Sequence, residues 1–258
     1  MQPMTRRQFA TLAGASAARF ALPSSAQTAA PLLSKSIPRS GEAIPAVGLG
    51  TAALCNTTDA DSKRKAGDVV AALVGGGRVN DTASTYGEAE IVIGDVLAAG
   101  ATREALLATK LEAPDAGELQ RSLKRLKTAK LDLLQLHNVR DPTQSLGRLR
   151  TWQSEGVCRY VGITSTFHGD FPAVEAVLKW EAPDFLQIDY SLDNREAEKR
   201  LLPVAAEMRT AVLAALPFGR GRRFTAVRGK SLADWAAQFG AQSWAQFFLK
   251  FLLSATRG

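Results

Sequence analysis

Four residues able to move or stabilise a proton stand at or just past the ends of short apolar runs. Asp81 lies in residues 78–83, Lys110 closes 106–110, His137 closes 131–137, and Tyr86 sits in the turn after Asp81. A free phenol has a pKa of about 10 and is a reluctant acid near neutrality. A nearby ammonium lowers that value by stabilising the phenolate, and a carboxylate can hold the ammonium in place. An imidazole beside them can donate a hydrogen bond to an oxygen that gains charge. Each residue alone has a plainer reading: a turn carboxylate, a solvated lysine, a packing aromatic, a core histidine. Their meaning depends on whether the fold brings them to one rim.

The elements that would do so are repeated βα units. Apolar, β-branched runs at 46–51, 78–83, 106–110, 131–137, 160–164, 185–190 and 211–216 alternate with helical patterns at 61–74, 88–99, 115–127, 143–154, 171–180, 195–208 and 244–253. Asp115 is placed to cap the third helix. Runs such as Leu131-Asp132-Leu133-Leu134-Gln135-Leu136 are nearly continuous in apolar residues, as in a parallel sheet covered on both faces. A parallel (β/α) barrel is favoured, with a doubly wound open sheet as the alternative. Chemistry in a barrel gathers where strands end, which is where the four residues stand. Gly48-Leu49-Gly50-Thr51 is too short for a dinucleotide fingerprint of the Rossmann type.

The composition narrows the classes further. The chain has 258 residues, 46% hydrophobic, enough for one large core. Its formal charge of +7 includes Arg6, Arg7 and Arg19 in an acid-free N-terminus; without them 29 basic residues face 25 acidic ones. The remaining basic residues are scattered, apart from Arg220, Arg222 and Arg223, read as a solvated loop, so no nucleic-acid surface is expected. Cys55 and Cys158 lack metal-ligand spacing and fall on distant strands, so neither zinc nor a disulfide is expected, and two histidines are too few for a metal-dependent barrel hydrolase. Residues 1–30 carry Arg6-Arg7-Gln8-Phe9, a weakly apolar stretch and Pro23-Ser24-Ser25-Ala26. That is the pattern of a twin-arginine signal peptide, too short to span a membrane stably, and it addresses the protein to the export machinery and the periplasm or another exported location. Residues 31–258 form the barrel domain.

Gly48-Leu49-Gly50-Thr51, Asn80-Asp81-Thr82-Ala83-Ser84-Thr85-Tyr86-Gly87, Thr109-Lys110, Leu133-Leu134-Gln135-Leu136-His137 and Val161-Gly162-Ile163-Thr164-Ser165 resemble, in order, the signatures of the aldo/keto reductases. The resemblance implies a (β/α)8 TIM barrel that reduces an aldehyde or ketone with NADP(H), NAD(H) being the alternative cofactor. It implies that Asp81, Tyr86, Lys110 and His137 form the catalytic tetrad, with Tyr86 the proton donor, Lys110 its activator, Asp81 the anchor of Lys110, and His137 the donor that orients the carbonyl. It also implies that Thr51 and Asp81 help seat the cofactor, with Thr164, Ser165 and Gln187 about the nicotinamide carboxamide and Leu216-Pro217-Phe218-Gly219 beneath it.

Two departures from the family are visible. Where many members stack an aromatic residue on the nicotinamide after the seventh strand, this chain has none before Phe218. The sequence also stops at Ser254-Ala255-Thr256-Arg257-Gly258, where the family continues into an eighth strand and C-terminal segment, so an open barrel lacking that strand is expected. A noncatalytic or degenerate reductase-like protein that binds a cofactor or partner is the alternative function.

Overall fold

The computed structural model describes residues 33–54, 59–74, 79–100, 106–138 and 142–255. The expected signal, residues 1–30, and Cys55 lie outside the described residues. The described chain opens with an antiparallel hairpin, β1 (Ser34–Ser36) and β2 (Ala43–Pro45), which the sequence reading did not anticipate. Strands and helices then alternate: β3 (Leu49–Gly50), α1 (Ala60–Val74), β4 (Asn80–Asp81), α2 (Ala89–Ala98), β5 (Leu107–Leu111) and α3 (Ala116–Arg125). They continue as β6 (Leu131–His137), α4 (Pro142–Ser154), β7 (Cys158–Ser165), α5 (Phe171–Glu181), β8 (Phe185–Asp189), α6 (Leu201–Glu207) and β9 (Ala211–Ala215). Two further helices follow, α7 (Arg222–Ala226) and α8 (Trp244–Ala255).

Strands β3 to β9 form one parallel sheet of seven in chain order, a nearly closed barrel. No eighth strand follows β9 among the described residues, and β3 and β9 are the first and last members.

The barrel follows from alternation inside apolar runs. On β6, Leu134 and Leu136 join the core shared with the helices, whereas Leu133 packs with Val79, Ala108 and Phe185 in a separate interior cluster. Side chains two apart share a face of a strand, so Gln135 and His137 continue the Leu133 row. The same step carries Ala108 to Lys110 on β5, Val79 to Asp81 on β4, and Phe185 to Gln187 on β8. The interior is apolar at the strands' N-terminal ends and polar toward their C-terminal ends. Ile37, in the hairpin turn and 1% exposed, packs into the apolar cluster. The hairpin is fastened at the same end: Glu42 accepts from Arg159 and from the Tyr160 hydroxyl.

Most expected elements form within a residue or two of their expected ends. Asp115 caps α3 as anticipated, its Oδ1 accepting from the Glu118 amide at 2.8 Å. The helix expected over 195–208 instead breaks into a 3-10 turn, Glu196–Lys199, and the short α6. Pro203 explains the break, since its ring nitrogen cannot donate to the Lys199 carbonyl and its ring would clash there. Arg200 accordingly leaves helical geometry at φ −141°, and Pro203 falls in the first turn of α6.

Gly94 on α2 touches the end of α3 so closely that an added Cβ would lie 2.1 Å from the Arg125 carbonyl oxygen. Alanine in a helix ordinarily stabilises by about 0.5–1 kcal/mol over glycine. Here overpacking, at about 1–3 kcal/mol, outweighs that gain. Gly94→Ala is expected to lower the thermal midpoint by several degrees in a circular-dichroism melt; a raised midpoint would mean that the helices separate freely.

Candidate active site

The chemistry is centred on Lys110, only 2% exposed inside the barrel. Its Nζ donates to Asp81 Oδ2 at 2.7 Å and to the Thr82 carbonyl at 2.7 Å. Asp81 also accepts from Gln187 Nε2 at 2.9 Å and, at Oδ1, from Gln135 Nε2 at 3.4 Å. Gly162 on β7 makes room for this amide layer: an added Cβ would lie 3.1 Å from Gln135 Cγ and 2.9 Å from the Phe185 carbonyl oxygen. Thr51, fully buried, donates its hydroxyl to the Asp81 carbonyl at 3.0 Å, so it steadies the backbone carrying the carboxylate.

Tyr86 reaches the same place from the loop after β4. The Lys110 ammonium lies 5.0 Å from its ring centroid, and His137 meets the ring edge-on at 5.5 Å. The structure therefore brings Asp81, Tyr86, Lys110 and His137 together at one end of the barrel.

The protonation of the site follows from burial. Burial first, then the negative charge of Asp81, pushes the Tyr86 phenol up to about 12, with Arg220 opposing and Glu112 assisting the rise. The ammonium lies over the ring and gives hydrogen bonds to Asp81 and Thr82. His137 is held below the usual imidazole range, mainly by burial and then by the charge of Lys110, while Glu112 and Asp81 oppose the shift. At neutral pH the mouth thus holds an intact phenol and a largely neutral imidazole.

Two carboxylates missed by the sequence reading organise the mouth. Glu112 brings Oε1 to 3.1 Å from His137 Nδ1 and accepts from the Thr85 hydroxyl at 3.2 Å. Glu118, buried in the first turn of α3, accepts from the Ser84 hydroxyl at 2.6 Å and from the amides of Glu112 and Ala113 at 3.1 and 2.9 Å. Glu118 falls three residues after the N-cap, a spacing that marks a capping box, but its side chain serves the preceding loops instead. Glu112 carries a signal that could have found it: it lies two residues past Lys110, just beyond the end of the same strand.

The remaining expected residues lie around this centre. Thr164 and Gln187 are register partners on β7 and β8, 7% and 8% exposed, and the Thr164 hydroxyl accepts from the Asn138 amide at 3.1 Å. Ser165 turns away toward the 3-10 turn His168–Asp170, donating to the Phe167 carbonyl at 3.3 Å. Past β9, Leu216 and Arg220 take left-handed backbone at φ 55° each, as does Gly219, and the Gly219 amide closes on the Leu216 carbonyl at 2.8 Å. Pro217 lies within that turn, whereas Phe218 packs with Phe224 and Phe248 at centroid distances of 5.0 and 6.5 Å. Phe218, half-buried, thus belongs to an aromatic cluster. Of the arginines expected in a solvated loop, Arg223 is instead 5% exposed, donating to Ser191 at 2.8 Å and pairing with Asp193. An open cleft of about 660 Å³ is bordered by Thr166, Gly169, Asp189, Asp193, Asn194 and Arg222.

The raised phenol is directly measurable. In an ultraviolet difference titration of the protein against Tyr86→Phe, Tyr86 is expected to contribute almost no tyrosinate at pH 10, where a free phenol is half ionised. A Tyr86 signal ionising near neutrality would show that the ammonium reaches the hydroxyl.

The model of the Aldo/keto reductase family matches residues 46–234. Among solved structures, the chain is similar to an aldo-keto reductase from Klebsiella pneumoniae in complex with NADPH, with 26% identity and a TM-score of 0.64 over 78% of this chain and 74% of that one. A second aldo/keto reductase from that organism, in complex with NADP and acetate, gives 28% identity and a TM-score of 0.60 over 72% and 69%. An aldo-keto reductase from Bombyx mori in complex with NADP shares the fold at 24% identity and a TM-score of 0.59, over 80% and 71%.

Proposed function

The chain belongs to the aldo/keto reductase family, and from that premise we propose that it is an NADP(H)-dependent oxidoreductase that reduces an aldehyde or ketone to an alcohol, with Tyr86 as proton donor. The observation that carries this reading is the buried Lys110–Asp81 pair at 2.7 Å lying against the ring of Tyr86. The residues present fit a nicotinamide cofactor by donor chemistry. Thr164 and Gln187 offer a hydroxyl and an amide side by side, which suits a carboxamide. Solved relatives hold NADPH or NADP, which favours that cofactor over NAD(H).

When bound, the reduced cofactor supplies the hydride. The protein's part is to deliver the proton and to place the carbonyl. Tyr86, kept protonated by burial, gives its hydroxyl proton to the oxygen that takes up charge. Lys110, on the ring face, stabilises the phenolate left behind, and Asp81 keeps Lys110 there. His137, edge-on to Tyr86, orients the substrate oxygen.

Titrating the purified protein with NADPH, followed by cofactor fluorescence, tests the binding half of the proposal. Tyr86→Phe tests the chemistry: carbonyl reduction is expected to fall by about 100-fold or more while NADPH affinity stays nearly unchanged. Activity retained within about twofold, less than roughly half a kcal/mol, excludes Tyr86 as the acid.

We also propose that the enzyme is exported through the twin-arginine route, on the strength of Arg6-Arg7-Gln8-Phe9 and the acid-free apolar stretch behind it. That route carries folded proteins, so the cofactor could be loaded before export. Replacing Arg6 and Arg7 by lysine is expected to retain the precursor in the cytoplasm, read by fractionation and immunoblot. Continued export by the same route defeats the assignment.

A further inference from the structure

The carboxylate on His137 changes what that histidine can do. Glu112 lies two residues past Lys110, and its Oε1 is 3.1 Å from His137 Nδ1. The Thr85 hydroxyl is 3.2 Å from that same oxygen and 3.4 Å from Nδ1. An ionised carboxylate only accepts, so the hydrogen between Glu112 and His137 belongs to Nδ1. Glu112 is itself set in place through its backbone, since its amide donates to the buried Glu118 at 3.1 Å. Nε2, the other ring nitrogen, forms no hydrogen bond with a described residue, which leaves it for a ligand.

A neutral imidazole carries one hydrogen. With that hydrogen on Nδ1, Nε2 presents a lone pair, and a lone pair repels a carbonyl oxygen. We propose that Glu112 is a positioning residue of the reduction: by holding His137 as the Nδ1–H tautomer, it makes donation from Nε2 to the substrate carbonyl depend on the imidazolium form. The inference rests on the reductase reading for its catalytic consequence, but not for the Glu112–His137 pair.

The pH dependence follows from the charges around the ring. Lys110 from β5 opposes the imidazolium, Asp81 from β4 and Glu112 from the end of β5 favour it, and burial opposes it most. Tyr86, from the loop after β4, is a neutral phenol through this range. Thr164, the register partner on β7, is uncharged. Carbonyl reduction therefore falls as pH rises through the His137 transition. In the reverse direction neutral Nε2 can accept a hydrogen bond from an alcohol, so alcohol oxidation is favoured above it. Removing the Glu112 charge lowers the transition further.

The chain holds only two histidines, and His168, packed beside Phe171 at 5.1 Å, serves as an internal control. Long-range proton–nitrogen NMR on the cofactor-free protein, titrated with acid, reads both rings. Above its transition His137 is expected as the Nδ1–H tautomer. In Glu112→Gln its transition moves to lower pH and that of His168 stays put, while Glu112→Asp returns the transition toward the parent. The acid-favoured limb of kcat for reduction moves the same way. Glu112 is 53% exposed at its side chain, so a thermal melt of each variant should match the parent. An Nε2–H tautomer in the parent, or a transition unmoved by Glu112→Gln, overturns the proposal even if carbonyls are reduced. An Nδ1–H tautomer with a Glu112-dependent transition in a protein that reduces no carbonyl upholds the pair and overturns the reductase reading instead.

Discussion

An ammonium taken out of water must be compensated where it lies, and the barrel interior is arranged around compensating Lys110. Moving a lone charge into a protein interior costs several kcal/mol, and removing one partner of a buried pair costs about 3–5 kcal/mol because the other charge stays behind. Lys110 Nζ has two acceptors at 2.7 Å, one charged and one from the backbone. The Asp81 carboxylate is in turn engaged by Gln187 and Gln135. Meeting those demands requires β4 beside β5 and β8 near enough for Gln187 to reach Asp81. It also requires no side chain at Gly162. The ion pair therefore constrains strand order, register and one glycine together.

Above that pair the loops are coupled. Glu118 ties Ser84, two residues before Tyr86, to the backbone of Glu112 and Ala113, and Arg125 donates to the Ser84 carbonyl at 3.1 Å. The phenol and the carboxylate on His137 are consequently placed by one buried acid on α3. Burial of the acid matters, since loops held only by exposed polar contacts would exchange those contacts with water. The result is a mouth whose protonation states follow from depth: Tyr86 keeps its proton and His137 resists gaining one.

Element positions were legible where local pattern and tertiary packing demand the same thing. The run 131–137 became β6 at those boundaries because every residue in it suits a strand covered by helices outside and side chains inside. Asp115 was legible because a cap is a contact between residues three apart. The expected helix over 195–208 failed at Pro203, a signal present in the sequence and outweighed by the apolar period around it. The hairpin was passed over because its strands have three residues each and little periodicity, and their place depends on Ile37 filling a barrel that a linear reading cannot see.

The sequence by itself determined the chemical inventory: which side chains end the strands, and that strands alternate with helices as in a parallel sheet. Those follow from periodicity and order, which are local or additive along the chain. Only the tertiary structure decided what each group does electrostatically. Whether Lys110 faces the Tyr86 hydroxyl or its ring, whether Phe218 is free or packed, and which nitrogen of His137 carries a hydrogen all turn on distances between residues remote in sequence. Charge interactions vary inversely with distance and with the local dielectric, so a shift of a few ångströms, or a change in burial, can reverse the sign of a pKa shift without altering a single residue type.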